Sequence, residues 1–95
     1  MTVEDFKTSL EENFPPAELN TLLLALWYDA KGNWEKSHDL VSEDHSIEGA
    51  HIHAYLHRKE GDLWNADYWY RRAGEIRKEI SLNEEWEYLV KRFIV

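Results

Sequence analysis

The chain has no cysteine. That excludes a disulfide framework and a thiolate metal site, and it agrees with a reducing compartment. Long apolar runs are missing as well. The longest, Leu22 to Tyr28, falls far short of the roughly 20 apolar residues that a spanning helix needs. No apolar core follows the acidic start Met1-Thr2-Val3-Glu4-Asp5, so no signal peptide is expected and the chain is expected to be cytoplasmic, with no membrane partner. Basic residues are scarce: 11 Lys and Arg stand against 19 Asp and Glu, for a net charge of −8. A chain of this sign repels phosphate backbones, which excludes nucleic acid as a first expectation. The imbalance sits in one half. Residues 1–50 hold three Lys and eleven acids, whereas residues 51–95 hold eight basic and eight acidic residues. A basic patch is therefore expected only in the second half.

Catalytic motifs are sparse too. No Gly-rich phosphate loop is present, and Ser9, Ser37, Ser42, Ser46 and Ser81 lie in no nucleophile elbow. The acidic pairs Glu11-Glu12 and Glu84-Glu85 read as solvated helix faces. No cofactor is implied, and the reading leans away from an enzyme. No strand signal competes with the helical period.

What the chain does have is aromatic residues: five Trp, five Tyr and three Phe, 14% of the total. Each buries a large area, which suits a 95-residue chain read as one domain over 1–95. Val3, Phe6, Leu10 and Phe14 form one apolar stripe, predicting a helix over about 2–14, capped by Thr2 and ended by Pro15-Pro16. Pro16 suits the start of a second helix, Ala17 to Lys31, apolar around most of its circumference and so expected to be central. Gly32 ends it and Asn33 caps a third helix, from Trp34 to about Glu43. After a polar turn, a fourth helix is predicted from Ile47 to Glu60. Gly61 and Asp62 then hand over to a fifth, from Leu63 to about Gly74. Glu75 to Ile80 is compatible with an extension of that helix or with a link. Ser81 and Glu84 form a capping box for a last helix over 82–95, striped by Trp86, Leu89, Val90, Phe93 and Ile94.

One phrase occurs twice in this pattern. Tyr28, Gly32, Trp34, Ser37 and Val41 correspond to His57, Gly61, Leu63, Ala66 and Tyr70, with the two glycines 29 positions apart. Small residues let helix axes approach, and large ones fill the groove between them. The phrase resembles the tetratricopeptide repeat, a pair of antiparallel helices, although that repeat has about 34 residues. Ser37 and Asp44 stand where the repeat favours small residues. The resemblance implies an all-α fold of five to six helices. Two stacked hairpins, about 17–43 and 47–74, would be covered by flanking helices at about 2–14 and 82–95. The stretch from His53 through Ala54-Tyr55-Leu56-His57-Arg58 and Gly61-Asp62 to Tyr68-Trp69-Tyr70-Arg71-Arg72-Ala73-Gly74 is also similar to the signature of a family of short, mostly bacterial proteins. That likeness extends to Ser81–Val95. It implies the fold and carries no activity.

Four groups of residues are candidates for function. His53 and His57 lie four apart on one helix face, with His51 nearby, a spacing that chelates metals. No Glu sits between them as in a His-Glu-x-x-His helix, and the hairpin register turns both toward the core, where histidines more often bond neutral partners. No metal is therefore assigned, and His53 and His57 are kept as the candidates. Arg58, Arg71 and Arg72, with Asn65, Tyr68 and Trp69, make a polar constellation able to hold an anion. Its plainer reading is an ion-pair network, with Arg58 or Arg72 on Asp62. Trp64 and Tyr68 share a face away from the Ala66–Tyr70–Ala73 stripe and, with Trp69, offer an interaction surface unless a flanking helix covers them. Finally, Leu19, Leu22, Leu26 and Asp29 with Glu48, His51, Tyr55 and Arg58 would line a concave groove for a peptide, unless helix one fills it. The leading expectation is an interaction module for a protein segment or a second copy. The alternative is a small-molecule or anion pocket lined by His53, His57, Arg58, Asn65, Tyr68 and Arg72.

Overall fold

The computed structural model describes residues 1–94 and contains six helices, with no strand among the described residues. Helix α1 spans Val3–Ser9. Thr2 and Asp5 close a reciprocal capping box at its start, and the hydrogen bonds from the Thr2 backbone and side chain hold the Asp5 carboxyl below its ordinary range. The helix ends earlier than its apolar stripe predicts. Beyond Leu10 the Lys31 ammonium takes the carbonyls of Leu10 and Glu12 at 2.7 and 3.0 Å, so these groups are satisfied in a turn rather than in another helical turn. Phe14, the fourth member of the stripe, is left 81% exposed.

Helix α2 spans Thr21–Ala30, not Ala17–Lys31. Asn20 takes the capping role that Pro16 was expected to announce, accepting from the Leu23 amide at 2.9 Å. Helix α3 (Trp34–Ser42), helix α4 (Ile47–Lys59) and helix α5 (Leu63–Arg72) follow close to the predicted bounds. Helix α6 spans Leu82–Phe93, with the Ser81–Glu84 capping box in place; Val95, included in the predicted last helix, lies outside the described residues. Residues 75–80 form a link, because α5 ends at Arg72, Ala73 caps it and Gly74 turns the chain at φ +72°.

Gly32 and Gly61 are the bends of two antiparallel hairpins, α2–α3 and α4–α5, at φ +84° and +88°. At each bend the chain makes the same pair of bonds. Asn33 N–H reaches the Tyr28 carbonyl and Gly32 N–H that of Asp29; Asp62 N–H reaches His57 and Gly61 N–H reaches Arg58. These two bonds define a Schellman terminus, which needs a left-handed residue just past the cap. The residue after each glycine then caps the next helix, Asn33 for α3 and Asp62 for α5.

The hairpins stack through α3 and α4, and α6 lies across α2 and α4. Ala54 and Ala66 are fully buried between α4 and α5, where their small size permits close approach. Three buried or half-buried tryptophans join elements, each with its indole N–H satisfied. Trp27 of α2 donates to Ser9 Oγ of α1 at 3.1 Å, Trp34 of α3 to the Leu56 carbonyl of α4 at 2.8 Å, and Trp86 of α6 to the Leu26 carbonyl of α2 at 3.1 Å. Phe6 packs on Trp86 with ring centroids 5.9 Å apart. The expected concave groove is thus filled by the protein's own α6, with Trp86 against Leu26.

Candidate functional site

Helix α4 is buried along nearly its whole length, and the structure sorts its polar side chains onto two faces. One faces α2 and α6. Here Glu85, only 6% exposed, accepts from Arg58 at 2.7 Å and from the Tyr70 hydroxyl at 2.6 Å, with His51 Nε2 3.6 Å away. Arg58 also donates to the Ile80 carbonyl. Arg92 donates to His51 Nδ1 at 3.1 Å, which leaves the imidazole proton on the nitrogen facing Glu85. Burial pushes the Glu85 carboxyl up, but the bonds from His51, Tyr70 and Arg58 outweigh it and hold the group below its ordinary range. Burial, followed by the bond to Glu85, pushes the Tyr70 hydroxyl up. Beside this network, buried Asp29 accepts from Tyr55 at 2.8 Å and from Lys59 at 2.9 Å, at the wall of a cleft of about 340 Å³ that also holds Trp86. Glu84-Glu85 is therefore not a solvated pair. Glu84 caps α6, and Glu85 lies on the same buried stripe as Leu89 and Phe93.

The opposite face of α4 meets α3 and α5, and here three imidazoles come together. His53 Nε2 is 3.0 Å from His38 Nε2 of α3, and the rings of His53 and His57 stack at 4.8 Å. The ligand atoms of His38, His53 and His57 all lie within 4.8 Å of one another. Trp34 stacks on His38 at 4.9 Å and 12°, and Trp69 on His53 at 4.0 Å and 15°. His57 Nδ1 sits 2.6 Å from Glu60 Oε1. Burial, then the neighbouring His38 and His57, lowers the His53 pKa to about 4, so its ring is neutral near pH 7. Burial likewise lowers that of His38.

A third region is the outer surface of α5. Trp64 is 79% exposed, and Tyr68 and Arg72 follow it at intervals of four. The Arg72 guanidinium lies 5.9 Å from the Tyr68 ring centroid and 5.4 Å from that of Trp69. Next to them is a depression of about 230 Å³ lined by Asp44, His45, Ser46, Ala50, Trp69 and Arg72.

The residues picked from the sequence are thus distributed rather than gathered. His53 and His57 meet each other, His51 and Arg58 meet at Glu85, and Tyr55 turns to Asp29. Tyr68, Trp69 and Arg72 share the outer surface, Arg71 is exposed beyond them, and half-buried Asn65 gives its backbone N–H to the capping Asp62. The suggested pairing of Arg58 or Arg72 with Asp62 is replaced by Arg58–Glu85 and by Arg72 on Tyr68. His53 and Arg58, placed together in one pocket by sequence proximity, point to opposite faces of α4. His38, Glu60 and Glu85 were missed. For His38 the signal was present, since Trp34, His38 and Val41 recur at i, i+4 and i+7 on the face of α3 that must cover α4. No family model, no curated protein and no solved structure matches the chain.

Proposed function

We propose that the chain is a protein-interaction module that takes an acidic, aromatic-bearing segment of a partner on the outer surface of α5. The observation that carries this reading is the Trp64–Tyr68–Arg72 stripe, which no other helix among the described residues covers and whose first member is 79% exposed. Tryptophan, tyrosine and arginine are the residue types that dominate binding energy in interfaces. Among the described residues no carboxylate pairs with Arg71 or Arg72, so their charge is available to an acidic partner. The adjoining depression beside Trp69 and Arg72 is of a size to seat one side chain. The resemblance to stacked-hairpin repeats supports the same reading, while α6 rules the usual concave groove out as the docking surface. The alternative pocket of His53, His57, Arg58, Asn65, Tyr68 and Arg72 lacks this support, because its members face different ways.

A fluorescence-anisotropy screen of acidic, aromatic-containing peptides tests the proposal, with W64A and R72A as comparison proteins. Binders are expected to lose about tenfold or more in affinity with either variant, roughly 1.4 kcal/mol or more. Equal binding by both variants would refute the assignment of this surface. Light scattering over the same concentrations separates peptide capture from self-association.

A further inference from the structure

The α5 surface leaves the histidine cluster beneath it unexplained. We propose that His38, His53 and His57 bind one divalent transition-metal ion of the zinc class, with Glu60 as the carboxylate that orients His57. The geometry comes first. Nitrogen ligands about 2.0–2.1 Å from a tetrahedral ion lie about 3.4 Å apart. The His38 and His53 Nε2 atoms, 3.0 Å apart, are already near that separation, and a ring nitrogen of His57 lies within 4.8 Å of both. The three residues come from two different helices, α3 and α4, so the convergence is a product of the hairpin stack and not of a local sequence motif.

The surroundings match what a ligating histidine needs. A metal-bound imidazole commonly gives its second nitrogen to a carboxylate, which fixes the tautomer and raises ligand basicity. His57 does this: Nδ1 is on Glu60 at 2.6 Å, which leaves Nε2 as the donor. Trp34 and Trp69 lie flat against His38 and His53, setting the ring planes. Imidazole ligands without a thiolate suit zinc, copper or nickel rather than calcium or magnesium. Three protein ligands are one short of a closed tetrahedral shell, so a fourth position remains for water or a group from a partner. This proposal does not depend on the α5 surface, since neither Trp64 nor Arg72 belongs to the cluster.

The test uses the untagged full chain, stripped with chelator and titrated with zinc chloride by calorimetry at pH 7. One zinc per chain is expected. His38→Ala removes a half-exposed ligand and is expected to weaken binding at least ~100-fold, and Glu60→Gln about 10- to 100-fold. Asp62→Asn and His45→Ala, outside the ligand set, are expected to stay within about threefold of the wild type. Cobalt(II) provides a second readout that needs no variant: the intense visible bands of a tetrahedral ion are expected on addition to the wild-type chain. No zinc uptake by the wild type, uptake unchanged in His38→Ala, or loss in Asp62→Asn with His38→Ala unaffected would each overturn the site. The last outcome would move the ion to the group of buried His57 with exposed Glu60 and Asp62.

Discussion

Ser37 shows at the scale of one residue how the fold treats a polar atom that it did not need. Its side chain is fully buried, and its hydroxyl has no hydrogen-bond partner among the described residues. In the second hairpin the same position is held by Ala66, also fully buried. A buried hydroxyl left unpaired costs about 1–3 kcal/mol, whereas Ala both fits the space and favours the helix. Ser37→Ala is therefore expected to raise the unfolding free energy by about 1 kcal/mol, read from the urea midpoint at unchanged slope. A loss of stability would mean that the hydroxyl has a partner after all. The register that equated Ser37 with Ala66 was legible in the sequence. The burial of Glu85 was also within reach, because Glu85, Leu89 and Phe93 recur every four residues. A charged residue was instead assigned to solvent by its type. What the sequence does not reveal is the compensation, since Arg58 and Tyr70 reach Glu85 from other helices.

At the scale of elements, helix ends written in local chemistry were readable and those written in distant contacts were not. The Thr2 and Ser81 caps and the glycine bends depend on residues within a few positions of each other, and all are present. The end of α1 depends on Lys31, some twenty residues further on, so an uninterrupted apolar stripe gave no warning. The start of α2 was misplaced because Pro16 and Asn20 both carry start signals and only Asn20 is seated as a cap. Gly61 provides the test of the hairpin bend. A Cβ there would meet nothing within 4 Å, so any effect of adding one comes from the backbone, at φ +88°. Gly61→Ala is expected to cost about 1–2 kcal/mol in chemical denaturation, with the helical circular dichroism kept. An unaffected midpoint would argue that the bend does not hold a left-handed residue.

For the whole molecule, the decisive event is the docking of α6. Two stacked hairpins alone would present α2 and α4 as a concave, largely apolar surface. The helix from Leu82 to Phe93 covers it, seating Trp86 on α2 and Glu85 among Arg58, Tyr70 and His51. The surfaces left over are then the outer side of α5 and the histidine-lined junction of α3, α4 and α5. Sequence reading reached the layers and the hairpins but divided the candidate residues by nearness along the chain. On α4, the five residues from His53 to Arg58 turn the side chain by about 140°, onto the other face, so nearness along the chain joined two residues that the helix separates, while His38, on α3, was left out.

A double-mutant cycle between Arg58 and Glu85 tests this arrangement most directly, because the two side chains belong to helices that touch only if α6 lies in the groove. With R58A, E85A and the double variant compared by urea unfolding, the closed arrangement predicts a coupling of about 2 kcal/mol. Effects that add to within about 0.5 kcal/mol would contradict it, and would reopen the groove as the surface on which the protein works.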